Sequence, residues 1–294
     1  MSDRALRSLA TLRQLAAGDG FSICDEVCRA GPKDPVFEEQ HARMSVSAVL
    51  SGSFVYRSNR GRVLMAPGSL LLGQEGNCFC CTHEHGVGDH CVAFYFDPAL
   101  IEEVAGENPS VTRTRFEMHR IPPLRALVPL FSDVRALADG GDAVASEELA
   151  LRMAGVALRL ACNVHDSKTN NRDERRMTEV LRTIERRLTE PLSIATLARE
   201  VGMSRYHFLR TFRCTIGETP YRYVLNRRLL LVAERLSATS DRVLDVALAC
   251  GFGDLSEFTR RFRATFGVTP AIYRKERHHF HRARINFGSV PNLG

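Results

Sequence analysis

No apolar run in this 294-residue chain approaches the roughly 18 residues that a membrane-spanning helix needs, so none of its helices is expected to cross a bilayer. The first twenty residues set Arg4, Arg7 and Arg13 among leucines and lack the apolar core of a signal peptide. The protein is therefore expected to stay in the cytoplasm. Its nine cysteines are an odd number without an export signal, which argues against a disulfide framework. Disordered and fibrous classes are excluded as well, because 44% of the residues are hydrophobic and 25% charged.

The net charge of +6 is unevenly spread. Residues 1–165 hold 16 Lys and Arg against 20 Asp and Glu, whereas residues 166–294 hold 24 against 14. A mildly acidic part joined to a strongly basic one fits a sensor or partner domain coupled to a polyanion-binding domain. A solvated basic surface with no partner gives the same asymmetry, so charge alone does not choose.

Residues 37–96 read as short strands. Val46, Ala48 and Leu50 alternate with Ser45, Ser47 and Val49, Gly52 interrupts, and Phe54 and Tyr56 alternate before a turn at 58–61. Turn signals every 8–12 residues point to an antiparallel barrel or sandwich. Two helical stripes follow. One is Leu124, Leu127, Val128, Phe131, Val134 and Leu137, stopped by Gly140-Gly141; the other is Leu149, Met153, Val156, Ala157 and Leu160. They form a hairpin whose apolar faces must be buried on the barrel or on a second copy of the chain. Residues 166–176 contain almost nothing apolar and read as a linker between a domain at 1–165 and one at 177–276. The tail at 277–294 is expected to be loose.

The region after the linker contains an internal repeat. At an offset of 50, Phe208, Arg210, Phe212, Arg213, Thr215, Gly217, Thr219, Pro220 and Tyr223 fall on Phe258, Arg260, Phe262, Arg263, Thr265, Gly267, Thr269, Pro270 and Tyr273. Upstream the offset is 49, placing Ala198 on Ala247 and Gly202 on Gly251, so one residue is absorbed in a turn. Each copy has helix-turn-helix grammar. In the first, Ser193 caps a helix with Ile194, Leu197, Ala198 and Val201 on one face, Gly202 turns, and Ser204 caps a second helix. Phe208 and Phe212 then point inward, leaving Arg205, Tyr206, Leu209, Arg210 and Arg213 outward. In the second copy Asp254 is the cap, Phe258 and Phe262 point inward, and Ser256, Thr259, Arg260 and Arg263 face out. Arginine suits guanine edges and phosphates; Ser, Thr and Tyr suit phosphates or mixed base contacts. A helix over residues 221–236 would space the two units, and the basic part from residue 170 on is expected to carry the DNA affinity by itself.

Residues 177–275 resemble the AraC/XylS family of transcription regulators, most specifically in the closing run ACGFGDLSEFTRRFRATFGVTPAIYRK. The resemblance implies an α+β protein: an N-terminal cupin-like antiparallel β-barrel with a helical hairpin, and a C-terminal all-α domain of seven helices with two helix-turn-helix units. It further implies a double-stranded DNA operator, activation through contact with RNA polymerase, and an N-terminal domain that binds an effector, forms a homodimer, or both. Leu209 and Leu255 depart from the polar residues that many members carry there, which leaves the operator sequence open.

Residues 78–91 read CFCCTHEHGVGDHC, dense in metal-ligand chemistry. Strand alternation would put Cys81, His83 and His85 on one face, with Asp89, His90 and Cys91 returning beside them. The segment resembles the cupin H-x-H core, and residues 61–68 resemble the G-x5-P part of the second cupin motif, but the histidine pair of the first motif is reduced to His41. Three readings stay open: a divalent metal such as zinc on Cys81, His83, His85 and Cys91; a thiol sensor using Cys80, Cys81 or Cys91; or small buried cysteines beside a hydrogen-bonded turn. Cys24 and Cys28 could add ligands from elsewhere. No cofactor is otherwise demanded. A metal-dependent cupin enzyme would want a complete two-histidine, one-carboxylate site. An alkyl-transfer DNA-repair regulator would want a P-C-H-R tetrapeptide, which is absent. Neither enzymatic reading needs the basic repeat, and the expectation is a regulator, not an enzyme.

Overall fold

The computed structural model describes residues 9–83, 87–109, 111, 113–140, 145–161 and 170–277. It opens with a hairpin, β1 (Ala10–Gly18) and β2 (Phe21–Cys28), that the strand pattern from residue 37 onward does not include. The sequence of β1, ATLRQLAAG, is rich in helix formers and does not alternate. Its strand state comes from pairing, with Thr11 opposite Val27 and Arg13 opposite Asp25, so a neighbour overrides local propensity.

The expected strands follow: β3 (Glu39–Gln40), β4 (Met44–Gly52), β5 (Phe54–Ser58), β6 (Gly61–Met65), β7 (Leu70–Gly73), β8 (Cys78–Thr82) and β9 (Asp89–Phe96), with β10 (Arg120–Ile121) added later. They form two antiparallel sheets, ordered β1-β2-β9-β4-β7-β10 and β3-β8-β5-β6. The period of two sorts the side chains. Val49, Leu71 and Cys91 of the larger sheet meet Phe54, Tyr56, Val63 and Met65 of the smaller one in a core between the sheets. Val46, Ala48, Leu50, Val92, Phe94 and Phe96 face the other way, toward helices.

Those helices are α1 (Pro98–Gly106), α2 (Val128–Ala138) and α3 (Ala145–Ala161). The hairpin of α2 and α3 appears where the two apolar stripes lie, and its stripes are buried on the larger sheet of the same chain. Gly140, with φ of 96°, follows the end of α2.

The remainder is helical: α4 (Asn171–Arg186), α5 (Ile194–Glu200), α6 (Arg205–Ile216), α7 (Pro220–Ala238), α8 (Val243–Ala249), α9 (Leu255–Phe266), and helical residues 270–277. The linker reading of 166–176 is corrected over its second half. Asn170 caps α4 by accepting from the Asp173 amide at 2.8 Å, and Asp173 and Glu174 suit the positive end of the helix dipole. Glu174 is fully buried and paired with Arg62 of β6, so the stretch is pinned to the sheet rather than free. Residues 162–169 and the tail from 278 lie outside the described residues. The spacer helix is also longer than 221–236: α7 has 19 residues, about 28 Å at ~1.5 Å per residue, because Pro220 occupies its first turn and Thr219 caps it.

The two expected domains share their interiors. Val55, Leu64 and Ala66 on the outer face of the smaller sheet pack with α4, α5 and α6, while α2 packs with α7 and α9. Arg120 of β10 is buried and donates to the Leu64 carbonyl at 2.8 Å and to the Thr215 carbonyl, in the last turn of α6, at 2.6 Å. Ser132 and Tyr273 share a hydrogen bond of 2.8 Å, and Arg135 pairs with Glu234 at 2.6 Å. No helix of the described residues is long and apolar enough to cross a membrane.

Candidate nucleic-acid interface

The internal repeat is carried into three dimensions as two helix pairs, α5–α6 and α8–α9. Ser204 caps α6 by accepting from the His207 amide at 3.3 Å, and Asp254 caps α9 by accepting from the Glu257 amide at 2.8 Å. Both helices have twelve residues and both end at a left-handed glycine, Gly217 or Gly267. Behind them the rings repeat. Phe208, Phe212 and Tyr223 stand 5.8 and 5.9 Å apart in sequence order, and Phe258, Phe262 and Tyr273 stand 5.7 and 5.4 Å apart. All four phenylalanines are fully buried. That burial fixes the opposite face of each helix toward solvent.

The structure places the expected DNA-facing side chains on that face. Arg205, Tyr206, Leu209, Arg210 and Arg213 of α6 are exposed, Tyr206 by 78%. On α9, Ser256, Arg260 and Arg263 are exposed and Thr259 is half-buried; together with Leu255 they line one open groove. Arg260 donates from Nε and Nη2 to one oxygen of Glu257, at 2.9 and 2.6 Å, and Arg261 bonds the other oxygen. These bonds, Arg260's foremost, hold the Glu257 carboxyl below its ordinary range. Among the described residues Arg210 and Arg213 have no carboxylate partner.

Two further residues escape a reading by motif. His207 is exposed on the first turn of α6, three residues before Arg210, and the same helical spacing could have flagged it. Arg228 of α7 leaves no local signal. Its guanidinium donates to the carbonyls of Leu188 at 2.7 Å, Glu190 at 2.6 Å and Gly251 at 2.7 Å. It thereby ties the chain after α4 and the turn of the second pair to the central helix. Gly251 has φ of 85°, and a Cβ there would lie 2.7 Å from the Thr189 carbonyl, so this turn admits no side chain.

In the N-terminal part, Cys81 and His83 face the space between the sheets, as alternation predicts, and Cys91 faces it from β9. His85 lies outside the described residues. Among the described residues, Cys28, His83 and Asp89 converge, bringing one ligand atom each within 4.8 Å of one another; His83 is the member they share with the expected set. Cys28 ends β2 directly opposite Asp89, which begins β9, a pairing that only the sheet register creates. Burial alone would pull the His83 imidazole down, but its hydrogen bonds with Asp89 and Cys28 carry it up to about 9. The thiol-sensor reading fares differently. Burial, followed by nearby carboxylates, pushes Cys80 up and Cys81 and Cys91 well up, which keeps these sulfurs as thiols instead of reactive thiolates.

The family described as helix-turn-helix domain matches residues 197–276. The transcriptional activator AarP of Providencia stuartii is 35% identical over 98 residues, 33% of this chain and 73% of AarP. The chain belongs to the AraC/XylS family of transcription regulators. The transcriptional regulator Rob of Salmonella typhimurium is 36% identical over 97 residues, 33% of this chain and 34% of Rob. A crystal structure from Chromobacterium violaceum, described as a regulator with an AraC-type DNA-binding domain, is 33% identical, covers 37% of this chain and 96% of its own, and has a TM-score of 0.34. As an AraC/XylS-family member the protein is a DNA-binding transcription regulator, and the relatives it matches are regulators, not enzymes. The matched stretch of this AraC/XylS-family regulator takes in both capped helices, α6 and α9, and α7 and α8 between them.

Proposed function

We propose that this regulator reads a double-stranded operator with two helix-turn-helix units, inserting α6 and α9 into successive major grooves. The observation that carries this reading is the matched exposure of the two helices. Fifty residues apart, Arg205 and Leu255, Tyr206 and Ser256, Leu209 and Thr259, Arg210 and Arg260, and Arg213 and Arg263 occupy equivalent outer positions over identical buried rings. Identical arginines suit what the two half-sites have in common, the phosphate backbone and guanine edges; the differing positions suit distinct bases. Leu209 and Leu255, 36% and 43% exposed, suit thymine methyl groups.

Residues 177–276 form the DNA-reading part in this proposal and residues 1–165 a cupin-like part that receives an effector and pairs two copies. The name of AarP supports activation, which would require RNA polymerase as a partner. Footprinting with the full chain tests the docking. Two protected patches about one helical turn apart, both weakened by a substitution in the matching helix, are expected. A single patch insensitive to α9 substitutions would end the two-unit reading.

A further inference from the structure

The last residue of β2, the first residue of β9 and His83, the residue next after β8, come together at one end of the sheets. Three donor types meet there: the Cys28 sulfur, the His83 ring and the Asp89 carboxylate, with one atom of each inside 4.8 Å of the others. His83 Nε2 lies 2.5 Å from Asp89 Oδ1, and the His83 side chain is only 4% exposed. On the other side of the carboxylate, Cys91 Sγ donates to Asp89 Oδ2 at 3.2 Å. Gly52 of β4 stands opposite Asp89 with φ of 76°. A Cβ there would lie 2.4 Å from the Gly88 carbonyl and 2.6 Å from Asp89 Cα, so the β4 backbone packs directly on the Gly88–Asp89 main chain and fixes where Asp89 starts. Neighbouring acids are already engaged: Asp25 by Arg13 and His90, Glu26 by the Tyr95 hydroxyl at 2.6 Å.

We propose that Cys28, His83 and Asp89 bind a thiophilic divalent cation of the zinc class, with Cys91 orienting the Asp89 carboxylate. Zinc–ligand distances of about 2.0–2.3 Å place donors roughly 3–4 Å apart around one ion, so a cation enters when the His83–Asp89 pair, 2.5 Å apart, widens by about an ångström and gives up its hydrogen-bonding proton. One sulfur, one nitrogen and one carboxylate oxygen match zinc or cobalt, and not magnesium or calcium, which take all-oxygen shells. Three protein ligands leave a fourth position for water or a small anion, the pattern of a responsive site rather than a closed structural one. A carboxylate held from behind by a second group is the usual outer-shell arrangement around a metal ligand. The site uses no residue of α6 or α9, and its existence is independent of how the operator is read.

The test is titration of the full-length, chelator-treated, reduced protein with Co(II), followed by Zn(II). One equivalent of Co(II) with a thiolate charge-transfer band, displaced by Zn(II), is expected. Cys28→Ser should remove the band, and His83→Gln and Asp89→Asn should each weaken binding at least about tenfold. Cys91→Ser should keep the band and weaken binding less, and Cys81→Ser should change neither. Zn(II) should raise the melting temperature of wild type but not of Asp89→Asn, a comparison that still reads out if Cys28→Ser folds poorly. No stoichiometric binding, or a band that survives Cys28→Ser and disappears in Cys91→Ser or Cys81→Ser, would overturn the assignment. So would alkylation or oxidation of Cys28 in a protein that takes up no metal.

Discussion

Arg260 carries its own counter-ion, and Arg210, among the described residues, does not. The Glu257 carboxylate that holds Arg260 lies on the surface proposed to face DNA, where it would also repel phosphate. An exposed pair of this kind contributes little to stability, so its effect belongs to binding. Glu257→Gln is expected to raise operator affinity and steepen its salt dependence in fluorescence anisotropy; a fall would mean that Glu257 positions Arg260. Arg210→Ala and Arg260→Ala are each expected to cost about 1–3 kcal/mol against operators that keep the contacted guanine. Arg213 and Arg263 lie in the last turns of their helices. Base edges are met mainly by the N-terminal part of a recognition helix. Substitution of either to alanine should therefore weaken all sequences alike and lower the salt slope by about one. Elsewhere, His41 is a second residue-scale case. Burial, aided by His119, holds its imidazole down to about 4 against an ordinary 6.5, with its ring 4.2 Å from Phe79 and Nε2 at 2.9 Å from the Tyr56 hydroxyl. Between those values the unfolded chain binds the proton more tightly, so stability falls as pH drops from about 6.5 toward 4 and levels off below. Thermal melts across that range should show the slope, and His41→Gln should flatten it; an unchanged slope would assign the acid sensitivity elsewhere.

Element placement in the helical part depends on α7. A fork that reaches three carbonyls in two separate segments is a geometric clamp, and lysine cannot reproduce it. Arg228→Lys is expected to cost about 2–3 kcal/mol in denaturant unfolding, because carbonyls lose charge-assisted partners. It should also weaken operators holding both half-sites more than fragments holding one. Equal weakening of both would mean that the two helix pairs are spaced by something other than this clamp. The helices of the two pairs were largely legible in the sequence, since Ser193, Ser204 and Asp254 are all caps that accept an amide three residues on. The hairpin β1–β2 was not, because β1 is rich in helix formers without alternation, and β9, on which β2 docks, lies some seventy residues away.

For the whole molecule, the two parts are not beads on a string. Phe258 and Phe262 belong to a core that includes α2, and Arg120 closes the end of α6 from β10. A fragment beginning at residue 170 would uncover those surfaces, so it is expected to melt well below the full chain even where it keeps the DNA affinity expected of the basic part. The salt dependence is therefore best read on intact protein. If about six to eight phosphates are neutralised, the log–log slope should lie near −5 to −7. A slope shallower than about −3 would mean that far fewer of the outward arginines touch the backbone.

What the sequence determined by itself is whatever repeats or alternates along the chain. The fifty-residue offset, the caps and the buried phenylalanines specify two helices and the side chains they expose, because a helix of known inner face has only one outer face. What tertiary structure decided is whatever is brought together from distant positions. Cys28, His83 and Asp89 come from three separate segments, and Arg62 with Glu174, and Arg120 with Thr215, join parts that composition divides. Sheet register and side-chain reach set those meetings, and neither quantity is written in local spacing.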